Sequence, residues 1–288
     1  MSVTEIKQEP ALDSLSTWLG ALGRQRSSHP ESVRILDILE RLLDKPYRTH
    51  AIILGEPGTG KEGLARALHS AMHPRANAPF VKVQSGGRDP ETLCHLLFGT
   101  LRSPGAIDRA EGGTLYLDEI ATLDREVQAR LAPTLRGRFR RQDDEQPRPC
   151  NIVMITATDQ DLREQVDRGT FRHDFYHRLA RVVVRIPALR ERPGDIAPAA
   201  IWIANRLLDQ NRVGKHLALE GESEPGDIVL ASDAIALLAA QQWRGNFREL
   251  DVVVERALFL YRDGDVLTAD VLRAALDTGD AHPLPKSP

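Results

Sequence analysis

Residues 51–72 read AIILGEPGTGKEGLARALHSAM, and this stretch decides the fold. A short β-favouring run, AIIL, meets the glycine-rich GEPGTGKE, which opens directly into the helical pattern EGLARALHSAM. Glycines let successive backbone N–H groups turn inward around phosphate oxygens, and the positive end of the helix dipole adds to that attraction. Lys61 is then placed to reach the β- and γ-phosphates as a point charge. A strand, such a loop and a helix in this order supply the context that the pattern needs. Gly55, Glu56, Pro57, Gly58, Thr59, Gly60, Lys61 and Glu62 therefore form the candidate nucleotide-binding segment. Where such loops usually carry Ser or Thr after the lysine, this chain has Glu62, so the customary hydroxyl ligand to Mg²⁺ is missing.

The alternation of strand and helix continues outward. Strand-like runs recur as FVKVQ (Phe80–Gln84), TLYLD (Thr114–Asp118), IVMITAT (152–158) and VVVRI (182–186). Short β-rich runs separated by helices imply a parallel sheet covered on both faces. After RERPGD (190–195) the pattern turns purely helical, with Ser232 expected to cap AIALLAAQQW and Asn246 to cap FRELDVVVERALFLY. The expectation is an α/β fold: a three-layer α/β/α domain with a parallel five-stranded sheet over residues 28–190, then a small all-helical lid over 191–276. Residues 211–227, rich in glycine and charge, read as a loop inside the lid. Residues 1–27 carry Leu12, Leu15, Trp18, Leu19 and Leu22 on roughly one helical face, which either docks a partner or packs on its own domain. Residues 277–288 read as a disordered tail.

Composition narrows the class. The net charge is −3, so no global basic field draws the chain to nucleic acid or an anionic membrane. No apolar run reaches the roughly 18 residues of a membrane span. The first residues lack the basic start and apolar core of a secretory signal, so a cytoplasmic location is expected. Cys94 and Cys150 show neither disulfide nor metal spacing and read as ordinary thiols.

A second motif, EGGTLYLDEI (111–120), is an apolar strand ending in two acids. Asp118 is placed to hold Mg²⁺, directly or through water. Glu119 is placed to orient the attacking water, because phosphoryl transfer depends mainly on positioning and charge.

These motifs, with LLFG, EVQARL, ITATDQDL, GTFRHDFYHRL, IPALRERPGDI and WRGNFREL, resemble the AAA+ ATPase domain of bacterial enhancer-binding proteins, the activators of σ54 RNA polymerase. The resemblance covers residues 28–276. It implies ATP and Mg²⁺ as cofactors and a ring, usually hexameric, in which each site is completed by the neighbouring subunit. Arg172 and Arg178 match the arginines that reach the neighbour's γ-phosphate. Arg248 matches the second sensor arginine on the lid, and Thr158 with Asp159 the first sensor pair. Gln84 sits where the family has an asparagine that holds the catalytic glutamate in an inactive pose. The family also carries glutamate after the loop lysine, which accounts for Glu62.

The chain departs from that pattern at its output. Between LFG and GGTL the family has a long loop bearing GAFTGA, which grips σ54; here TLRSPGAIDR (100–109) stands in its place. Ordinary σ54 activation is therefore not expected, nor is a DNA-binding domain of its own. Asp159 replaces an asparagine, and a carboxylate repels phosphate where an amide donates to it. Gln84 is one methylene longer than asparagine. Pro133 falls inside the helical pattern EVQARLAPTLRG and is expected to kink it. The second loop, RGRFRRQDDEQPRP (136–149), clusters Arg136, Arg138, Arg140 and Arg141 around Phe139. It either meets an acidic polypeptide or a nucleic-acid backbone, or is a solvated loop neutralised by Asp143, Asp144 and Glu145.

Three functions fit: an ATP-hydrolysing ring that remodels a protein partner other than σ54; a transcription regulator acting through another polymerase form or a partner activator; and a nucleotide-gated scaffold with little turnover.

Overall fold

The computed structural model describes residues 29–73 and 77–277. The helix expected within residues 1–27 and the tail from residue 278 lie outside the described residues. Contacts divide the chain into two units. One holds Glu31–Glu56 and Gly60–Ile186; the other holds Pro57–Thr59 and the chain from Pro187 on.

The first unit is built on β1 (Ala51–Leu54), β2 (Phe80–Gln84), β3 (Thr114–Asp118), the short hairpin strands β4 (Arg138–Phe139) and β5 (Arg148–Pro149), β6 (Val153–Thr158) and β7 (Val182–Arg185). Five of them form a sheet in the order β2-β3-β6-β1-β7, parallel throughout. The inner strands β3 and β6 are buried along almost their whole length, which is why they read as continuous apolar runs rather than alternating ones. Gln84 lies opposite Asp118, and Leu54 opposite Thr158, so these strand ends meet along one edge of the sheet.

Among the described residues, seven helices surround it: α1 (Pro30–Asp44), α2 (Lys61–Met72), α3 (Pro90–Phe98), α4 (Ala106–Arg109), α5 (Arg125–Leu131), α6 (Leu162–Asp167) and α7 (His173–Leu179). The first, not picked out by the strand–helix reading, buries Ile35, Leu39 and Leu42, one helical stripe. The second buries Leu64, Ala65, Leu68 and Ala71. Phe98, Phe171 and Phe175 are fully buried in this core, each contributing roughly 1.5–3 kcal/mol of burial. Pro133 does not kink a continuing α-helix. The α-helix stops at Leu131, and the chain proceeds as a 3₁₀ turn, Ala132–Arg136, with the proline at its start, where no N–H is needed.

The second unit contains α8 (Ile196–Gln210), α9 (Ser232–Ala240), α10 (Asn246–Arg256) continued by a π-helical turn Ala257–Tyr261, and α11 (Ala269–Asp277). It is a helical lid but not an all-helical one. Three short parallel strands, β8 (Leu217–Leu219), β9 (Ile228–Leu230) and β10 (Val266–Leu267), pair in the order β10-β9-β8. The segment read as a loop thus contains β8. Its three residues sit between charged neighbours and are too few to show a period; burial of Leu217, Ile228 and Leu230 holds the pairing. Neither expected cap acts as one. The Ser232 hydroxyl donates to Glu220 at 3.1 Å, and Asn246 is the first residue of its own helix. Among the described residues no helix is long and apolar enough to cross a membrane.

Candidate functional site

The phosphate-type loop leaves β1 and enters α2 through glycines in the left-handed region, Gly58 at φ 78° and Gly60 at φ 94°. Such angles are open to glycine and costly for other residues. The Lys61 ammonium donates to the carbonyls of Gly55 and Glu56, at 2.8 and 3.1 Å. Glu62 accepts from Arg66 at 2.8 Å and from Lys82 at 2.5 Å, one cation per carboxylate oxygen. Burial raises its pKa, but those two partners outweigh burial and hold the carboxyl below its ordinary value. Glu62 is thus a charged anchor between α2 and β2.

β3 ends in Asp118, and Glu119 follows it. Asp118 Oδ1 accepts the Glu119 N–H at 3.1 Å. Glu119 itself is left-handed, φ 57°, a strained conformation for a side chain of its size, of order 1–3 kcal/mol. Its carbonyl is fixed by the Thr122 hydroxyl at 2.8 Å and the Thr122 N–H at 3.0 Å. Its carboxylate lies against Gly86, just past the end of β2, so closely that a Cβ there would sit 1.6 Å from Oε2. The Gln84 side chain has no hydrogen-bond partner among the described residues; only its carbonyl is engaged, by Arg88. At the end of β6, Thr158 is buried and its hydroxyl accepts the Gln160 N–H at 3.0 Å, while Asp159 is exposed.

The two arginines matched to trans-acting fingers flank α7. Arg172, at its N-cap, forms a two-pronged pair with Asp174 at 3.0 and 3.3 Å, which holds that carboxyl below its usual range. Arg178 is half-buried in the last turn and has no ion-pair partner among the described residues. The segment before α7 is set by Gln128, a fully buried amide on α5. It accepts the Arg172 N–H at 2.7 Å and donates to the carbonyls of Leu123 at 2.8 Å and Thr170 at 3.1 Å.

Within the second unit, Arg248 is exposed in the first turn of α10. The start of that helix is held by Asn246, which donates to the Pro57 carbonyl at 3.0 Å and accepts the Leu189 N–H at 2.8 Å. The Phe247 N–H donates to the Gly58 carbonyl at 3.0 Å, and a Cβ on Gly58 would sit 2.2 Å from the Gly245 carbonyl oxygen. Arg192 is buried over the Phe247 ring, with Asp195 at 3.8 Å. Burial lowers its pKa to about 10 against the opposing pull of Asp195 and Glu191.

The segment after Gly99 closes at once. Thr100 and Ser103 exchange backbone hydrogen bonds at 2.8 and 3.3 Å, and Gly99 bridges Pro104. It is tied to the second loop: the Leu101 N–H donates to Asp143 at 2.7 Å and the Gln142 N–H to the Gly99 carbonyl at 3.0 Å, while Arg141 pairs with Asp108 at 2.7 Å. Leu101 remains half exposed at the tip. Phe139 is not displayed among the arginines but buried in the core. A cleft of about 940 Å³ is lined by the second loop, from Arg138 to Glu145, and by Arg130 and Pro133.

The sequence pattern marks the strand ends, gives no role to Gln128 or Gly86, and reads Asn246 only as a helix cap. Gln128 and Asn246 are polar residues at buried helical positions. That was their available signal.

The glycine-rich loop on a parallel sheet, followed by a helical lid, defines an AAA+ nucleotide-binding module. The sigma-54 interaction domain matches residues 27–185, and the AAA+ ATPase lid domain matches residues 190–287. The Nif-specific regulatory protein of Azotobacter vinelandii is 34% identical over 88% of this chain and 48% of its own length. The Psp operon transcriptional activator of Escherichia coli K12 is 34% identical over 84% of this chain and 74% of its own. The crystal structure of NtrX from Brucella abortus in complex with ADP is 33% identical, with a TM-score of 0.74 over 92% of this chain and 57% of that one. The chain belongs to the sigma-54 interaction domain family, with its AAA+ lid. It spans about half the length of the Azotobacter relative.

Proposed function

We propose that this chain is a Mg²⁺-dependent ATPase that assembles into a nucleotide-dependent ring, in the manner of a hexamer, and uses hydrolysis to remodel a protein partner. One observation carries the reading: Asp118, followed by Glu119, and Thr158 end their strands along the sheet edge where β1 passes into the loop bearing Lys61. The ADP complex of the Brucella relative supports it.

The residues present fit the cofactors. Left-handed Gly58 and Gly60 free the loop to wrap a polyphosphate, and Lys61 supplies the cation. No cluster of three or more metal-ligating side chains exists among the described residues. Mg²⁺, which usually keeps waters and takes one or two carboxylates plus substrate phosphates, would be held by Asp118. When bound it neutralises phosphate charge. Glu119 orients and deprotonates the attacking water, Thr158 and Asp159 sit at the sensing strand end, and Gln84 tunes the glutamate. Arg248 contributes from the lid. Arg172 and Arg178 act on the neighbour's nucleotide, where a guanidinium stabilises transition-state charge. Asp159 and Gln84 slow turnover relative to an asparagine pair. The closed loop at 100–104, locked to the second loop, supports an output other than the ordinary σ54 grip.

A second reading is favoured by the relatives' names, a regulatory protein and a transcriptional activator. The remodelled partner is then RNA polymerase in another form, or a second activator.

The test is steady-state ATP hydrolysis across protein concentration, beside Glu119→Gln and Arg178→Ala. Specific activity rising with concentration and lost in both variants is the expected result. ATP binding without magnesium-dependent turnover at any concentration would leave only the nucleotide-gated scaffold. Co-purification with polymerase, against some other protein, separates the two outputs.

A further inference from the structure

We infer that Gly86 is a positioning residue: it forms a slot in which the Glu119 carboxylate parks, turned away from the phosphate-binding strand. This rests on the reading of Glu119 as the water-activating group.

In the sheet order β2-β3-β6-β1-β7, the phosphate-type loop follows β1, on one side of β3 with β6 between. Gly86 follows β2, on the other side of β3. Glu119 leaves the end of β3 and leans toward Gly86, with Oε2 occupying the place a Cβ would take and the carboxyl carbon 2.8 Å from that place. The register across the two strand ends is fixed, since the Ser85 N–H donates to the Asp118 carbonyl at 3.0 Å. Gln84, the residue the resemblance assigns to hold the glutamate, makes no side-chain hydrogen bond among the described residues. The slot is made by a missing side chain rather than by a polar partner.

A slot of this kind sets a population. While the carboxylate rests on Gly86 it does not face the water, and filling the slot shifts Glu119 toward the productive side. Alanine at position 86 does this with one methyl group. Gly86 has no positive φ, so alanine adds no backbone strain; Gly87, at φ 72°, has nothing within 4 Å of an added Cβ and serves as the matched control.

The experiment measures kcat, KM for ATP and thermal unfolding for Gly86→Ala, Gly87→Ala, Glu119→Ala and the Gly86→Ala/Glu119→Ala pair. The expected result is a rise in kcat of about three- to tenfold in Gly86→Ala, with ATP affinity unchanged. Gly87→Ala loses stability and keeps its kcat. The Gly86→Ala substitution lowers Tm when Glu119 is present and not when it is absent, a coupling between contacting residues that also reads out if the single variant folds poorly. An unchanged kcat overturns the slot; a reduced kcat, with the coupling present, makes the pose the working one and overturns the parking. A wild-type chain without turnover sinks the ATPase reading instead, while the unfolding cycle still tests the contact.

Discussion

The strand ends of the first unit and its two outer loops are governed by opposite uses of the backbone. At the strand ends the backbone is kept open: left-handed glycines turn the loop before Lys61, and Gly86 leaves room for Glu119. At the outer loops the backbone is closed on itself: Gly99, Leu101 and Gln142 spend their polar groups on one another or on Asp143. The chemistry needs donors and space for a ligand; a short loop such as 100–105, ahead of α4, needs internal partners to hold a shape at all. Glycines and open space mark the strand ends, and a self-bonded backbone with Leu101 half exposed marks the outer loops.

The largest effect expected falls on the open side. Lys61→Ala should weaken ATP binding by about 10- to 100-fold, since hydrogen bonds to charged groups are worth ~1.5–3 kcal/mol. Calorimetric titration with ATP checks this; unchanged affinity would mean the loop does not hold phosphate. Next is Gln128→Ala, which strips partners from the Arg172 N–H and the Leu123 and Thr170 carbonyls. The Leu123 bond is buried and the other two are part-buried; a buried polar group left unpaired costs about 1–3 kcal/mol, so a loss of about 2 kcal/mol is expected from the urea midpoint. A midpoint equal to wild type would show that the three segments do not depend on this amide.

A third effect depends on pH. His69 and His73 share the Thr114 hydroxyl at 2.8 and 3.3 Å. Burial first, then the facing charges of Arg48 and, for His69, of His73 and Arg66, push both pKa values down to about 4. The unfolded chain takes up protons near 6.5, where the folded pair refuses them. Stability is therefore full above about pH 6.5 and lost as pH falls toward 4. Melting temperature against pH should flatten in this window in a His69→Gln/His73→Gln variant; an unaltered slope would assign the loss elsewhere. The smallest effect belongs to the closed side. Arg141→Ala, which removes a part-buried pair, should cost about 1 kcal/mol while leaving ATP affinity intact. Its signature is faster proteolysis at residues 100–104. Resistance equal to wild type would show that the Arg141–Asp108 pair does not restrain the loop.

All five core strands were legible because buried parallel strands announce themselves as apolar runs, and the glycine-rich loop is a local pattern. What stayed hidden depends on distant partners. Ser232 and Asn246 look like caps locally, yet Glu220 draws the first away and Pro57 and Leu189 claim the second. The strand Leu217–Leu219 forms only because Ile228–Leu230 covers it. Phe139 reads as part of a basic cluster, while a two-residue hairpin turns it into the core. Gly86 carries no signal at all: its function lies in the room it leaves, and room is not written in a sequence.

Gln128 has a consequence for timing. Glu119 begins the turn that ends at Leu123, the Leu123 carbonyl is held by Gln128, and the same amide holds the backbone of Arg172. In a ring of the proposed kind, the group serving a subunit's own nucleotide and the group it lends to its neighbour would thus hang on a single side chain. The two sites would run in series, like escapement and gear, with one amide setting the phase between them.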